Sequence, residues 1–168
     1  MKFVVMIAAL ITQTGEPTRS AGIIESSDPA KDQFMLISVP EHESIKPDSI
    51  IVTIGAMRIK NKRQYRIYLR NIPAPTKHGV QKLRLEHCKN VSWTLNGKPV
   101  KLGQVDYDFS RSSNGLMSER IVQHLNLEQL QSVGTAENLT YKLCGIEGNI
   151  SPQDLGKAKV IADRFSDR

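Results

Sequence analysis

An α+β domain, mainly an antiparallel sheet of hairpins with two helices in the C-terminal third, is the fold that this sequence predicts. Three observations lead there. Period-two alternation of apolar and polar residues marks residues 64–72 and 91–95, and an Asn96-Gly97 pair ends the second run. Capped amphipathic segments appear only after residue 125. Strands followed by helices, without strand–helix–strand alternation, point away from a parallel sheet.

The first 21 residues read as a signal peptide and processing region. Lys2 precedes nine apolar residues, Phe3–Ile11, and small residues follow in pairs, Thr12 with Thr14 and Thr18 with Ser20, ahead of Gly15 and Ala21. A basic start, a short apolar core and small residues before a cut are the parts of a secretory address. A buried strand is the alternative, since an apolar run of this length fits both. The polar stretch "TQTGEPTRSAG" behind it suits a processing region better. Residues 22–168 then form a single α+β domain, periplasmic or secreted. If residues 1–11 stay as a strand, the protein is cytoplasmic. No apolar run in the sequence reaches the ~18–20 residues of a membrane-crossing helix.

Asp28-Pro29 is a turn leading into a strand at Phe34–Val39, and "EHESIKPDS" follows as an acidic loop. Residues 50–59 and 64–72 are the arms of a long hairpin turning at Lys60–Arg63. In the second arm Tyr65, Ile67 and Leu69 point to the core, while Arg66, Tyr68 and Arg70 point to water. "PAPTKHG" breaks the chain before a strand ending in "LRLEHC". In "VSWTLNGKPVKL", Val91, Trp93 and Leu95 alternate up to the Asn96-Gly97 turn, and Pro99 marks an edge strand.

After the loop "DFSRSSNG" a strand through "ERIVQHL" meets Asn126, which caps the helix "LEQLQSV" with Gln129 closing a capping box and Gly134 as its stop. "NLTYKLCGI" reads as a strand, with a turn at "EGN". Ser151-Pro152 then opens the last helix, with Asp154 three residues beyond the cap. Its apolar stripe is Leu155, Ala158, Ile161, Ala162 and Phe165.

The two cysteines, Cys88 and Cys144, sit at the ends of predicted strands and are candidates for one disulfide in an oxidising compartment. In the cytosol they would be two buried thiols. Neither lies in a Cys-x-x-Cys pair.

The net charge of +6 is unevenly spread: residues 58–111 carry thirteen basic and three acidic side chains, while the flanking segments are net negative. Six of the basic residues, Arg58, Lys60, Lys62, Arg63, Arg66 and Arg70, surround the long hairpin, with Tyr65 and Tyr68 interleaved. These cations and Tyr68, the aromatic on the basic face, are the partner-binding candidates. They suit an anionic protein or cell-envelope component. The alternative is a cytosolic single-stranded nucleic-acid-binding module using hairpin 58–70, with phosphates on the cations and a base on Tyr68. Edge-strand cations that prevent sheet-to-sheet aggregation are the purely structural explanation of the same pattern.

No residue is assigned to catalysis, cofactor binding or metal binding. His42, His78, His87 and His124 lack ligand spacing, and no phosphate loop, nucleophile elbow or dinucleotide fingerprint occurs. Asp106 and Asp108 share a face if their segment is a strand; a solvated strand end neutralised by nearby cations explains them better than acid–base chemistry. The sequence therefore predicts a non-enzymatic binding domain. Its oligomeric state is not encoded in any pattern read here.

Overall fold

Eleven strands and two helices follow one another along the described chain. They are β1 (Thr18–Ser20), β2 (Ile23–Asp28), β3 (Gln33–Ser38), β4 (Ile50–Ile59), β5 (Lys62–Asn71), β6 (Val91–Leu95), β7 (Lys98–Val100), β8 (Val105–Arg111), β9 (Met117–Leu125), α1 (Leu127–Gly134), β10 (Leu139–Leu143), β11 (Ile146–Ile150) and α2 (Pro152–Ser166). The computed structural model describes residues 18–20, 22–40, 49–73, 83–88, 90–113 and 117–166. The expected signal peptide lies outside these residues except for Thr18–Ser20, which pair antiparallel with β2. The acidic loop at 41–48 lies outside them as well.

The strands form two antiparallel sheets. A seven-stranded sheet runs β1-β2-β3-β4-β5-β9-β8, and a four-stranded sheet runs β11-β10-β6-β7. The chain leaves the large sheet after β5 and makes the β6–β7 hairpin of the small one. It returns as β8 and β9, then crosses again through α1 to complete the small sheet. The α+β expectation holds, with both helices at the C-terminal end.

Alternation decides which side of the large sheet is packed. Phe34, Leu36, Ile54, Ala56, Tyr65, Ile67, Leu69 and Ile121 face one side and join one continuous core. The small sheet adds Trp93, Leu139, Tyr141, Leu143 and Ile150 to it, and the helices add Leu130 and Val133 of α1 with the whole predicted stripe of α2. Phe165 closes this layer, with ring centroids 5.5 Å from Phe34 and 5.9 Å from Tyr65. The buried Trp93 indole finds a partner within the core: it donates to Gln123 Oε1 at 2.9 Å, which ties β6 to β9.

The helix signals act as the sequence indicates. The Asn126 side chain accepts from Gln129 N at 2.8 Å while the Gln129 side chain accepts from Asn126 N at 3.0 Å. Ser151 Oγ accepts from Asp154 N at 3.1 Å. Gly134, however, is the last helical residue and not a left-handed stop. Its role is close approach: a Cβ there would lie 2.6 Å from the Lys159 backbone, so a side chain would push α1 off α2.

Three strand expectations are corrected. Residues 83–88, within "LRLEHC", form bends and a turn, because Glu119 claims their backbone donors. "NLTYKLCGI" is two strands, since Cys144 (φ 49°) and Gly145 (φ 78°) make a tight turn, and the "EGN" turn lies inside β11. "DFSR" continues β8 because it pairs with Met117–Arg120 of β9. The Asn96-Gly97 turn is as expected, with φ 49° and 77°, and Pro99 sits in β7, the edge strand of the small sheet.

Two devices hold the 83–88 segment. Cys88 is bonded to Cys144, 56 positions further along the sequence, with Cα atoms 5.6 Å apart. Closing a loop of that length restricts the unfolded chain by about 4 kcal/mol in the chain-entropy account. The Glu119 carboxylate, 0% exposed, accepts from Asn71 Nδ2, Arg84 N and Leu85 N, each at 2.7 Å. Glu119→Ala strands two backbone donors and an amide, so it is expected to cost about 3 kcal/mol or more. Urea unfolding measures this, and an unchanged midpoint would show that the carboxylate anchors nothing.

Candidate functional site

The sheet separates the predicted basic residues. Arg58 and Arg63 are paired across the β4–β5 hairpin on the packed side, beside Phe34. Arg63 Nη1 donates to the Phe165 carbonyl at 3.0 Å, a cation at the C-terminal end of α2 where the helix dipole favours it. Arg58 lies 3.7 Å from Asp32. Lys60 occupies the hairpin turn, with φ 53°. The period of two sends Lys62, Arg66, Tyr68 and Arg70 to the opposite, outer side.

On that outer face the β5–β9 register brings in side chains the sequence reading did not join to the hairpin. Arg66 is opposite His124, Tyr68 opposite Val122, and Arg70 opposite Arg120. β8 then sets Asp106 opposite Val122 and Asp108 opposite Arg120. Arg120 was missed because nothing in the sequence says that β9 neighbours β5 across an intervening hairpin. The alternation of Arg120, Val122 and His124 in "ERIVQHL" was the available signal.

The face is ordered by its own contacts. Arg120 donates to Asp108 Oδ2 through Nε at 2.8 Å and also through Nη2, and its guanidinium carbon lies 5.7 Å from the Tyr68 ring centre. Tyr68 spreads toward Gly55 of β4, where an added Cβ would come within 3.5 Å of its Cε2. Met35, Ile37, Met57, Gln64 and Arg66 line a shallow groove beside it. The described helices and the small sheet pack on the other side, around Phe165 and Trp93. Asp106 and Asp108, weighed above as paired carboxylates, are separately engaged.

Asp106 accepts from His124 Nε2 at 2.7 Å and from Gln104 Nε2 at 3.0 Å. The His124 hydrogen bond is the main cause holding its carboxyl below the ordinary carboxylate range; Gln104 and the charges of His124 and Arg66 add to it against some desolvation. In Arg70 it is the charged form that is disfavoured: burial, then the charge of Arg120, lowers its guanidinium below the ordinary value. The Arg70 side chain makes no ion pair or hydrogen bond among the described residues.

Among the described residues no three of His, Cys, Asp and Glu converge as a metal site. The larger concavity, about 590 Å³, opens between Gly22, Val39 and Pro40 and the first turns of α2. Lys157 on its wall is already committed to the Val39 carbonyl and Asp154, each at 2.8 Å. No described helix is long and apolar enough to cross a membrane.

The depressed Asp106 fixes a pH dependence. Its stabilising effect is complete above the unfolded value of about 3.9 and is lost as pH falls through the lower folded value. His124→Ala removes the main cause, so the Asp106 carboxyl is expected to titrate at higher pH than in the parent protein. A carboxyl-carbon NMR titration reads this directly, and an unmoved midpoint would sever the link.

Compared with known proteins, the chain matches no family model, and no curated protein is significantly similar to it.

Proposed function

We propose that this chain is an exported, non-enzymatic interaction domain that captures an anionic partner on the outer face of its seven-stranded sheet. The observation that carries the reading is the charge of that face. Lys62, Arg66, Arg70 and Arg120 share it with Asp106 and Asp108, both already engaged, and with Asp28 at the far end of β2, paired to Lys31. A field of one sign on a rigid sheet steers and holds an opposite charge.

Export is supported by the Cys88–Cys144 bond, which suits an oxidising compartment. Of the two candidate cuts, one before Gly15 keeps β1, whereas one before Ala21 removes Thr18–Ser20 from its pairing with β2. A mature chain starting at Gly15 is therefore expected. Intact mass of protein purified from its native host, with and without thiol labelling, is expected to give this start and two unreactive cysteines. A chain starting at Met1 with two reactive thiols would contradict export.

For the binding face, Arg66→Glu is the informative change, because Arg63 is occupied at the end of α2. Fluorescence anisotropy with labelled poly-L-glutamate is expected to show about tenfold weaker binding for Arg66→Glu at low salt. Arg63→Glu should lower the melting temperature instead, with binding retained by the folded fraction. Equal binding by Arg66→Glu and the parent would remove the outer face from the account. Tighter, steeply salt-dependent binding of oligothymidylate would favour the nucleic-acid alternative.

A further inference from the structure

We infer that Arg70 is the seat for a carboxylate carried by an extended acidic segment of a partner protein, with a second carboxylate on Arg66 and an apolar side chain between them. This rests on the outer-face reading above and names the chemistry that the face would take.

The charges around Arg70 leave one position open. Arg70 and Arg120 are directly opposite each other on one face, an arrangement that repels unless an anion joins it. Arg120 is held by Asp108 on its far side and lies by the Tyr68 ring, so it is fixed in place. The other carboxylate of β8 on this face, Asp106, is taken by His124 and Gln104. Arg70 is thus a half-buried guanidinium facing a like charge, without a described hydrogen-bond acceptor. Such a site costs stability in the free protein. A guanidinium offers a planar fork that matches a carboxylate with two parallel hydrogen bonds.

Spacing names the rest of the ligand. Arg66 and Arg70 are four residues apart on one face of β5, about 13 Å at the rise of a strand, with Tyr68 midway. Arg66 donates to Gln64 and makes no ion pair among the described residues, which leaves it free to take a charge. An extended segment lying along β5 repeats at the same rise, so acidic residues at its first and fifth positions reach Arg70 and Arg66. Its third side chain then lies over Tyr68, level with Thr53 of β4 and Val122 of β9. The Tyr68 ring beside Val122 suits an apolar side chain and not a sugar–phosphate chain. Tyr68, engaged by Arg120 and spread toward Gly55, is also a poor platform for a base.

The test uses the acetylated, amidated peptide Glu-Ser-Leu-Ser-Glu, a twin with glutamine for both glutamates, inorganic phosphate and oligothymidylate. The full chain is expected to bind the acidic peptide with movement of the Arg70 Nε–H NMR signal. Arg70→Gln should weaken that binding about tenfold or more, and the glutamine twin should bind parent and variant equally weakly. Arg70→Gln should melt no lower than the parent, since it removes a like charge facing Arg120. If it does not fold, Arg70→Lys keeps the charge without the fork and should still bind several-fold more weakly than the parent. Equal peptide binding by a folded position-70 variant and the parent overturns the seat, as does no binding by the parent. So does displacement of the peptide by equimolar phosphate or oligothymidylate. If Arg66→Glu still loses poly-L-glutamate while Arg70→Gln keeps the peptide, only the seat falls; if neither change matters, the face falls with it.

Discussion

The register between β5 and β9 is the constraint on which the rest of this molecule depends. Six consecutive cross-strand pairs, from Arg66–His124 to Asn71–Glu119, serve two purposes on two faces. On the packed side Ile67 meets Gln123, Leu69 meets Ile121, and Asn71 meets the buried carboxylate that gathers the 83–88 segment. On the outer side Arg66 meets His124 and Arg70 meets Arg120. A slip by one residue would exchange the two sets, burying arginines and exposing Ile67 and Leu69. The hydrophobic requirement of one face therefore fixes the electrostatics of the other.

That coupling explains why like charges persist face to face. Core burial of Leu69 and Ile121, both fully excluded from solvent, outweighs the repulsion of a half-buried arginine pair, and Asp108 relieves one member of it. What remains on Arg70 is an unmet preference for an anion. Local conflict of this kind, inside an otherwise consistent fold, is where binding roles concentrate. The same division of faces gives Arg58 and Arg63 different surroundings from their neighbours in sequence. Arg63 finishes α2, so a cluster that looks continuous along the chain is two unrelated groups in space.

Much of this was legible in residue order. The long hairpin, its core-facing Tyr65, Ile67 and Leu69, the Asn96-Gly97 turn, both helix caps and the stripe of α2 follow from local periodicity and local hydrogen bonds. The Cys88–Cys144 bond agrees with the pairing suggested by an even cysteine count. What escaped were features decided by partners distant in sequence. Residues 83–88 alternate well enough to look like a strand, but Glu119, more than thirty residues away, holds them in a turn. Cys144 takes a left-handed turn position that its residue type does not announce, next to Gly145 that does. The outer face was half visible: Arg66, Tyr68 and Arg70 came from alternation, while Arg120 and Asp108 required the knowledge that β9 and β8 continue the sheet beyond β5.

The most direct measurement of the central claim is a residue-by-residue map of backbone amide NMR shifts as poly-L-glutamate is titrated into the full chain. The account predicts changes concentrated in Arg66–Arg70 of β5 and Arg120–His124 of β9, with β10, β11 and α2 silent. Changes centred on the small sheet or on α2, with β5 and β9 unmoved, would contradict it.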